Sequence, residues 1–198
     1  MIRPRIAGAI LGWAALAWAA AAAATEVSAV GPGGAPMADV AVWATAADPN
    51  KTPRDKARVV EIGQRARVFE RLVSVVETGK KISFPNHDVV RHHVYSFSEP
   101  KKFDIKLYAG GESPEVAFEQ DGLVVLGCNI HDKMLAYVRV VPTSAYAVTD
   151  ATGMANLDLP EGDWVIHAWH PTMGEKSEGA QEKSKGGQRA VKVSIIGK

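Results

Sequence analysis

Hydrophobic residues recur along most of this chain in short runs with a period of two, the pattern of half-buried β-strands. In the clearest run Phe103, Ile105 and Leu107 alternate with polar or amphipathic side chains. The same criterion, with enrichment in β-branched and aromatic residues, predicts further strands. They are residues 27–30, 40–44, 69–76, 81–84, 92–97, 116–118, 122–126, 134–141, 164–169 and 190–196.

The segments between these runs have the composition of turns and loops. Glycine and proline dominate residues 31–36, and two prolines interrupt residues 46–57. Residues 65–72 also admit a helix, but the valines and the turn that follow favour a strand over residues 69–76. Residues 174–188 are polar and glycine-rich, and we expect a mobile loop there. No segment keeps a helical period over several turns, so the pattern predicts an all-β sandwich.

The first 24 residues have the pattern of an export signal. Arg3 and Arg5 precede an apolar stretch rich in alanine, which ends in small residues before Thr25. A basic start, an apolar middle and a small-residue cleavage site are typical of a signal peptide. Because alanine is only weakly apolar, we expect cleavage near Ala24 rather than a retained membrane span, and we expect the mature chain to lie in a bacterial periplasm.

Charge and cysteine content narrow the function classes. The net charge is +1, from 23 basic and 22 acidic residues. Cleavage of the signal peptide would remove Arg3 and Arg5, which leaves 21 basic residues and a net charge of −1. No basic footprint for nucleic acid is present. A periplasm is oxidising, yet the only cysteine, Cys128, has no internal partner for a disulfide. A bound metal would explain why the thiol persists, although a buried free cysteine is the simpler alternative.

The candidate chemistry lies in a short segment after the strand predicted at residues 122–126. Cys128, His131 and Met134 follow one another at intervals of three. A thiolate, an imidazole and a thioether in one tight loop suit a soft, redox-active metal, and copper fits best. Zinc also accepts such donors, but the methionine would then be idle.

A blue-copper centre needs a second imidazole, and residues 92–93 offer two. Strand alternation places His93 on the face of Tyr95 and Phe97, and His92 on the opposite face. If those two aromatic residues face the core, the ligand is His93; otherwise it is His92. Alternation alone leaves both possibilities open, because it often fails near strand ends and bulges.

A second histidine group at residues 167–173 has similar spacing. His167 and His170 lie three apart, so a strand would put them on opposite faces, and we expect surface histidines there. No pair of carboxylates, activated serine or phosphate-binding glycine loop is evident. We therefore do not expect an enzyme.

The segment from Phe84 to Ser96 resembles the first-histidine segment of cupredoxins, and the Cys128, His131 and Met134 loop is similar to the short copper loop of amicyanin. The chain resembles in particular the plastocyanin-like periplasmic proteins often labelled methylamine utilisation proteins. The resemblance implies a Greek-key cupredoxin β-sandwich over residues 58–142. It also implies one type 1 copper, with His92, Cys128, His131 and an axial Met134 as ligands.

By the same resemblance the protein would be a monomer that passes single electrons through His131 to a redox partner, such as a cytochrome c or a periplasmic dehydrogenase. His93 stands where cupredoxins usually have an asparagine that ties the ligand loops together. The alternative function is copper storage or delivery, or an adaptor module, in which copper exchanges and carries no electrons.

The segments on either side of this region resemble the opening and closing strands of a transthyretin-like, carboxypeptidase-regulatory-like sandwich. Residues 25–57 and 143–198 are therefore expected to form one small split domain, with the cupredoxin domain inserted between them. A single enlarged sandwich with extra edge strands is the alternative.

Overall fold

A computed structural model describes residues 23–55, 59–186, 188 and 190–197. The regular secondary structure of the described residues is almost entirely β-strand, so the predicted all-β class is confirmed. In chain order the strands are β1 (Ala23–Val30), β2 (Ala41–Ala46), β3 (Val60–Glu61), β4 (Gln64–Arg65), β5 (Val68–Phe69), β6 (Val73–Glu77), β7 (Lys80–Ser83), β8 (His92–Ser96), β9 (Phe103–Tyr108), β10 (Glu115–Phe118), β11 (Gly122–Gly127), β12 (Leu135–Val141), β13 (Tyr146–Val148), β14 (Met154–Leu159), β15 (Asp163–Trp169), β16 (Ala180–Lys185) and β17 (Ala190–Ser194). Short 3-10 helices cover Pro32–Gly34, Pro49–Lys51 and Pro171–Met173.

The central part of the chain forms two sheets that share one core. The larger has the order β6-β12-β11-β8-β9, and the smaller has the order β10-β7-β3. Ile82 and Phe118 of the smaller sheet and Leu126 of the larger belong to one buried cluster, and none of the three is exposed. Burying a side chain of this size stabilises the fold by about 1.5–3 kcal/mol. The two sheets therefore pack as a β-sandwich.

The two ends of the chain form another pair of sheets. One has the order β14-β1-β17 and the other the order β13-β2-β15-β16, so both mix strands from before and after the central region. β2 is buried on both faces over its first four residues, as its unbroken apolar sequence predicts. The second buried cluster consists mainly of residues from these strands. This pairing is what a split flanking domain requires, while the domain boundaries themselves stay a prediction.

The outer face of β12 contacts the flanking sheet that contains β2 and β15. Tyr137 packs on Trp169 with ring centroids 5.5 Å apart, and the Arg139 guanidinium lies 4.9 Å from the ring centre of Trp43. Burial lowers the pKa of Arg139, while Glu178 and Asp121 oppose that change. The strand that follows the candidate metal loop is thus held on both faces.

Two local predictions are wrong. The expected strand over residues 69–76 is divided, because β4 and β5 form a tight hairpin and a bend separates β5 from β6. The expected mobile loop at residues 174–188 contains β16, which pairs antiparallel with β15 over six residues. Its mostly polar side chains suit a strand at a sheet edge, where five of its six residues are at least partly exposed.

The predicted signal peptide falls almost wholly on residues 1–22, which lie outside the described residues. The first described strand begins at Ala23 and pairs with β14. No helix in the described ranges has the length and apolar character of a membrane span.

Candidate metal centre

His92 is the first residue of β8 and lies opposite Tyr108 of β9. The pairing of these strands is irregular between His92 and Val94, where a β-bulge shifts the register. His92 and Val94 are fully buried, whereas Phe97 is 78% exposed. The aromatic face of this strand is therefore not the core face, and the condition that would have selected His93 is not met.

The cysteine loop begins where β11 meets β8. Gly127 pairs with Tyr95, and a Cβ atom at Gly127 would lie 2.8 Å from the Tyr95 ring. Glycine at this position leaves room for the Tyr95 ring, which lies over Gly127. Cys128 follows at once, so its position is set by the end of a paired strand.

The loop then folds back on itself before β12. The Met134 N–H donates to the His131 carbonyl oxygen at 3.0 Å. Cys128 is 7% exposed and Met134 is 2% exposed, whereas His131 is only half-buried. The loop thus directs two sulfur side chains into the core and leaves one imidazole near the surface.

His92, Cys128 and His131 come together although the first is far from the others in sequence. One ligand atom from each lies within 4.8 Å of the other two. The distance from Cys128 Sγ to His131 Nδ1 is 3.8 Å, and the ring centroids of His92 and His131 are 5.0 Å apart. Among the described residues, no other group of three or more His, Cys, Asp or Glu has this geometry.

The hydrogen bonds show which nitrogen of His92 could bind a metal. Nε2 lies 2.8 Å from Oδ2 of Asp88, whereas Nδ1 is buried and has no hydrogen-bond partner in the described part of the chain. A buried imidazole nitrogen without a partner costs free energy unless something else coordinates it. A metal ion between His92 Nδ1, Cys128 Sγ and His131 Nδ1 would satisfy that atom.

Met134 completes the donor set that the sequence predicts. Its side chain belongs to the same buried cluster as Cys128, and its backbone is bonded to His131. Two imidazoles, one thiolate and a thioether fit copper, and two imidazoles with one thiolate also fit zinc. That these four residues bind the metal stays a prediction.

Asp88 has a role that the sequence did not reveal. Its N–H donates to Asn86 Oδ1 at 2.9 Å. Its carboxylate also accepts the N–H groups of Ala66 and Arg67 and contacts His92. Burial raises the pKa of Asp88, but the hydrogen bonds from Arg67, His92 and Ala66 outweigh it and lower the pKa below the ordinary value. The spacing of Asp88 and His92 by four residues was the only available signal.

His93 is held by a different carboxylate. Its Nε2 lies 2.5 Å from Oδ1 of Asp104, and its ring packs beside Tyr95 at 5.5 Å. Lys106 and then His93 lower the pKa of Asp104. His93 is therefore a buried residue beside the site, with its ring on the other side of the strand from the cluster.

A buried polar contact lies next to the cluster. The Tyr108 hydroxyl donates to the Phe84 carbonyl oxygen at 3.0 Å and accepts a short hydrogen bond from Gln64. Burial, and to a smaller extent Cys128 and Glu112, raise the pKa of Tyr108 to about 12, although the Gln64 contact opposes this. The phenol is neutral at physiological pH and fixes the strand that faces His92.

Comparisons with solved structures return copper proteins at low identity. The copper-containing nitrite reductase of Thermus scotoductus is 20% identical over 57% of this chain and 28% of its own, with a TM-score of 0.40. A purple cupredoxin from Nitrosopumilus maritimus is 21% identical over 41% of this chain and 99% of its own, with a TM-score of 0.37. Amicyanin from Paracoccus versutus is 16% identical over 50% of this chain and 98% of its own, with a TM-score of 0.39.

This chain thus spans little more than a quarter of the nitrite reductase. A scan against protein-family models found no match, and a search of curated proteins found none either. With TM-scores below 0.5, the case for a metal centre rests on the side chains of this chain.

Proposed function

We propose that this protein is a type 1 copper protein of the cupredoxin kind that carries single electrons between redox partners in the periplasm. The observation that carries the proposal is the convergence of His92, Cys128 and His131. Nδ1 is buried and without a hydrogen-bond partner among the described residues in both His92 and His93, so the convergence is what distinguishes His92. A bound copper ion would supply the one-electron couple.

The chemistry of the donors favours copper over other metals. A thiolate with two imidazoles and a weak axial thioether is the donor set of blue-copper sites. In a zinc site Met134 would have no role as a ligand. Its side chain is nonetheless buried, at 2% exposure, at the end of the loop that holds Cys128 and His131. A carrier must hold both oxidation states with little movement, and paired strands on either side of the loop provide that rigidity.

The three clustered residues would have different roles in electron transfer. His92 and Cys128 are buried and exclude water from the site, while half-buried His131 presents an imidazole edge to the surface. An electron can therefore leave through His131 without substrate entering the site. Four protein donors leave no open position for a substrate, which supports a carrier rather than an enzyme.

The proposal also includes the location of the protein and the kind of redox partner it meets. The N-terminal pattern supports a periplasmic location, where a cytochrome c or a dehydrogenase would be the partner. The same half-exposed His131 also favours a second candidate function, copper delivery, because an acceptor could displace a ligand from that side.

The test is to load the mature protein with Cu(II), record its visible spectrum, and mix the reduced form with oxidised cytochrome c or with an apo copper acceptor. We expect an intense thiolate-to-copper band, rapid electron transfer and slow copper transfer. A spectrum without that band contradicts a type 1 site. Rapid copper loss with no electron transfer contradicts the carrier role and supports delivery.

A further inference from the structure

The least expected feature of the site is a carboxylate on the far side of the buried histidine. Asp88 Oδ2 lies 2.8 Å from His92 Nε2, and the His92 side chain has no exposed surface. If Nδ1 binds the metal, Nε2 carries the proton and donates to Asp88. The Asp88 carboxylate would then contact the His92 imidazole, and the imidazole would contact the metal.

A surface hairpin fixes this carboxylate in place. Ala66 and Arg67 form the two-residue turn between β4 and β5, and both have positive φ, at 55° and 62°. Their N–H groups point at Asp88, at 2.7 Å from Oδ1 and 2.9 Å from Oδ2. The donors are backbone atoms, so the contact depends on the turn's shape rather than on its side chains.

We propose that Asp88 is a positioning residue that fixes the tautomer of His92 and lowers the reduction potential of the bound copper. This rests on the proposed function. A hydrogen bond from His92 Nε2–H to the negatively charged Asp88 carboxylate increases the electron density of the imidazole, so Nδ1 becomes a stronger donor to the metal. A stronger donor stabilises Cu(II) more than Cu(I), so the oxidised form is favoured.

The adjacent histidine provides a matched control. His93 makes the same type of contact, from Nε2 to Asp104 Oδ1 at 2.5 Å, but it is outside the cluster. Asp88→Asn and Asp104→Asn therefore both remove a carboxylate charge from a histidine contact, one on a proposed ligand and one beside it, and Asp104 differs in being more exposed and in pairing with Lys106. In Asp88→Asn the amide oxygen can still accept from Arg67 N–H and His92, but the NH2 group then faces the Ala66 N–H, so one of the two backbone contacts to the hairpin is lost.

The experiment measures Cu(II) and Cu(I) affinities and the reduction potential of both variants and of the natural protein. Loss of such a contact typically costs 10–100-fold in metal affinity. We expect that loss for Cu(II) in Asp88→Asn and little change for Cu(I). The reduction potential should then rise by about 59 mV for each tenfold loss of Cu(II) affinity relative to Cu(I) affinity, which is the constant for a one-electron couple. Asp104→Asn should change neither quantity.

Further readouts separate positioning from folding. Nitrogen-15 NMR of the Cu(I) form should show a slowly exchanging His92 Nε2–H, which Asp88→Ala abolishes. Arg67→Ala keeps the backbone donor and should leave the potential unchanged. Urea unfolding of the copper-free variants shows whether the fold is intact.

Each outcome has a distinct meaning. If the natural protein binds copper as a type 1 site but Asp88→Asn keeps its affinities and potential, the role of Asp88 is refuted and the proposed function stands. If Asp104→Asn shifts the potential instead, His93 is the ligand and the inference about Asp88 is wrong. If the natural protein forms no type 1 site, the proposed function itself fails.

Discussion

Two segments of this protein have nearly the same spacing of metal-binding residue types. Cys128, His131 and Met134 follow one another at intervals of three, and so do His167, His170 and Met173. Cys128 and His131 of the first set lie beside a second imidazole, that of His92, and form a cluster with it. The second set forms no such cluster among the described residues, so spacing alone does not make a site.

The difference lies in where each set falls relative to its strand. His167 is within β15, where its ring stacks on Trp43 at 5.0 Å and its Nε2 bonds Thr45 Oγ1 at 2.8 Å. His170 uses Nδ1 to accept the N–H of Thr172 at 3.2 Å. One ring nitrogen of each histidine in the second set is thus engaged in a local contact away from any cluster, whereas Nδ1 of His92 is buried beside Cys128 and His131 with no partner among the described residues. In the first set, the loop that holds Cys128 and His131 follows the end of β11, next to the strand that begins with His92. The three ligand atoms therefore come together.

The largest expected effect comes from removing the thiolate. Cys128→Ala should abolish the visible charge-transfer band completely, because no other thiol exists in the chain. His170→Ala is the control in the second set and should leave the band unchanged. Absorption spectra of the copper-loaded proteins make the comparison, and a band that survives in Cys128→Ala would refute thiolate ligation.

Core truncations should separate the two regions by stability. Leu126 lies in the central core and Leu157 in the flanking core, and both are essentially unexposed. Each Leu→Ala change should lower the free energy of unfolding of its own region by about 2–5 kcal/mol. If the flanks are a separate domain, urea unfolding shows two transitions and each variant shifts one. A single transition moved equally by both variants would contradict the split-domain prediction.

A smaller effect is expected from the thioether. Met134→Gln should still bind copper but lower its reduction potential, because an oxygen or nitrogen donor stabilises Cu(II) more than a thioether does. Met173→Gln, in the second set, should leave the potential unchanged while destabilising the flanking core, where Met173 is 8% exposed. Voltammetry measures the potentials. Equal values for Met134→Gln and the natural protein would remove Met134 as the axial ligand.

The smallest effect is a pH dependence in the flanks. Burial, and then the charge of Arg139, lower the pKa of His167 below its ordinary value of 6.5. The unfolded chain therefore binds a proton that the folded chain does not. Stability from this residue is complete above about pH 6.5 and falls as the pH drops below it.

The variant His167→Phe keeps a ring over Trp43 and removes the titrating group. Thermal unfolding of the copper-free protein at pH 7.5 and 5.5, chosen about one unit either side of an ordinary histidine, should show a smaller pH difference in the variant. His170 should contribute in the same direction, because burial lowers its pKa, with Asp39 opposing the change. An identical pH difference in both proteins would show that His167 does not contribute.

The sequence predicted most of the strands because their periodicity is local. Phe103, Ile105 and Leu107 alternate, and the structure has a strand at Phe103–Tyr108. It did not predict β16, whose polar side chains at a sheet edge carry no hydrophobic pattern. Nor did it predict the β4–β5 hairpin, because Ala66 and Arg67 occupy positions with positive φ that usually indicate glycine or asparagine.

The candidate site was predictable in its residue types but not in its surroundings. The cysteine loop is contiguous, so its spacing alone identified three donors. The choice between His92 and His93 depended on which strand face is buried, and that is a property of the sheet rather than of the segment. The contact from Asp88 to the hairpin joins residues more than twenty positions apart, so no local pattern could indicate it.

The most direct test is X-ray absorption at the copper edge of the loaded protein in both oxidation states. We predict one sulfur at short distance and two imidazole nitrogens around copper, with little change on reduction. A copper environment of oxygen and nitrogen alone, or one without the short sulfur, would contradict the convergence of His92, Cys128 and His131 on a single ion.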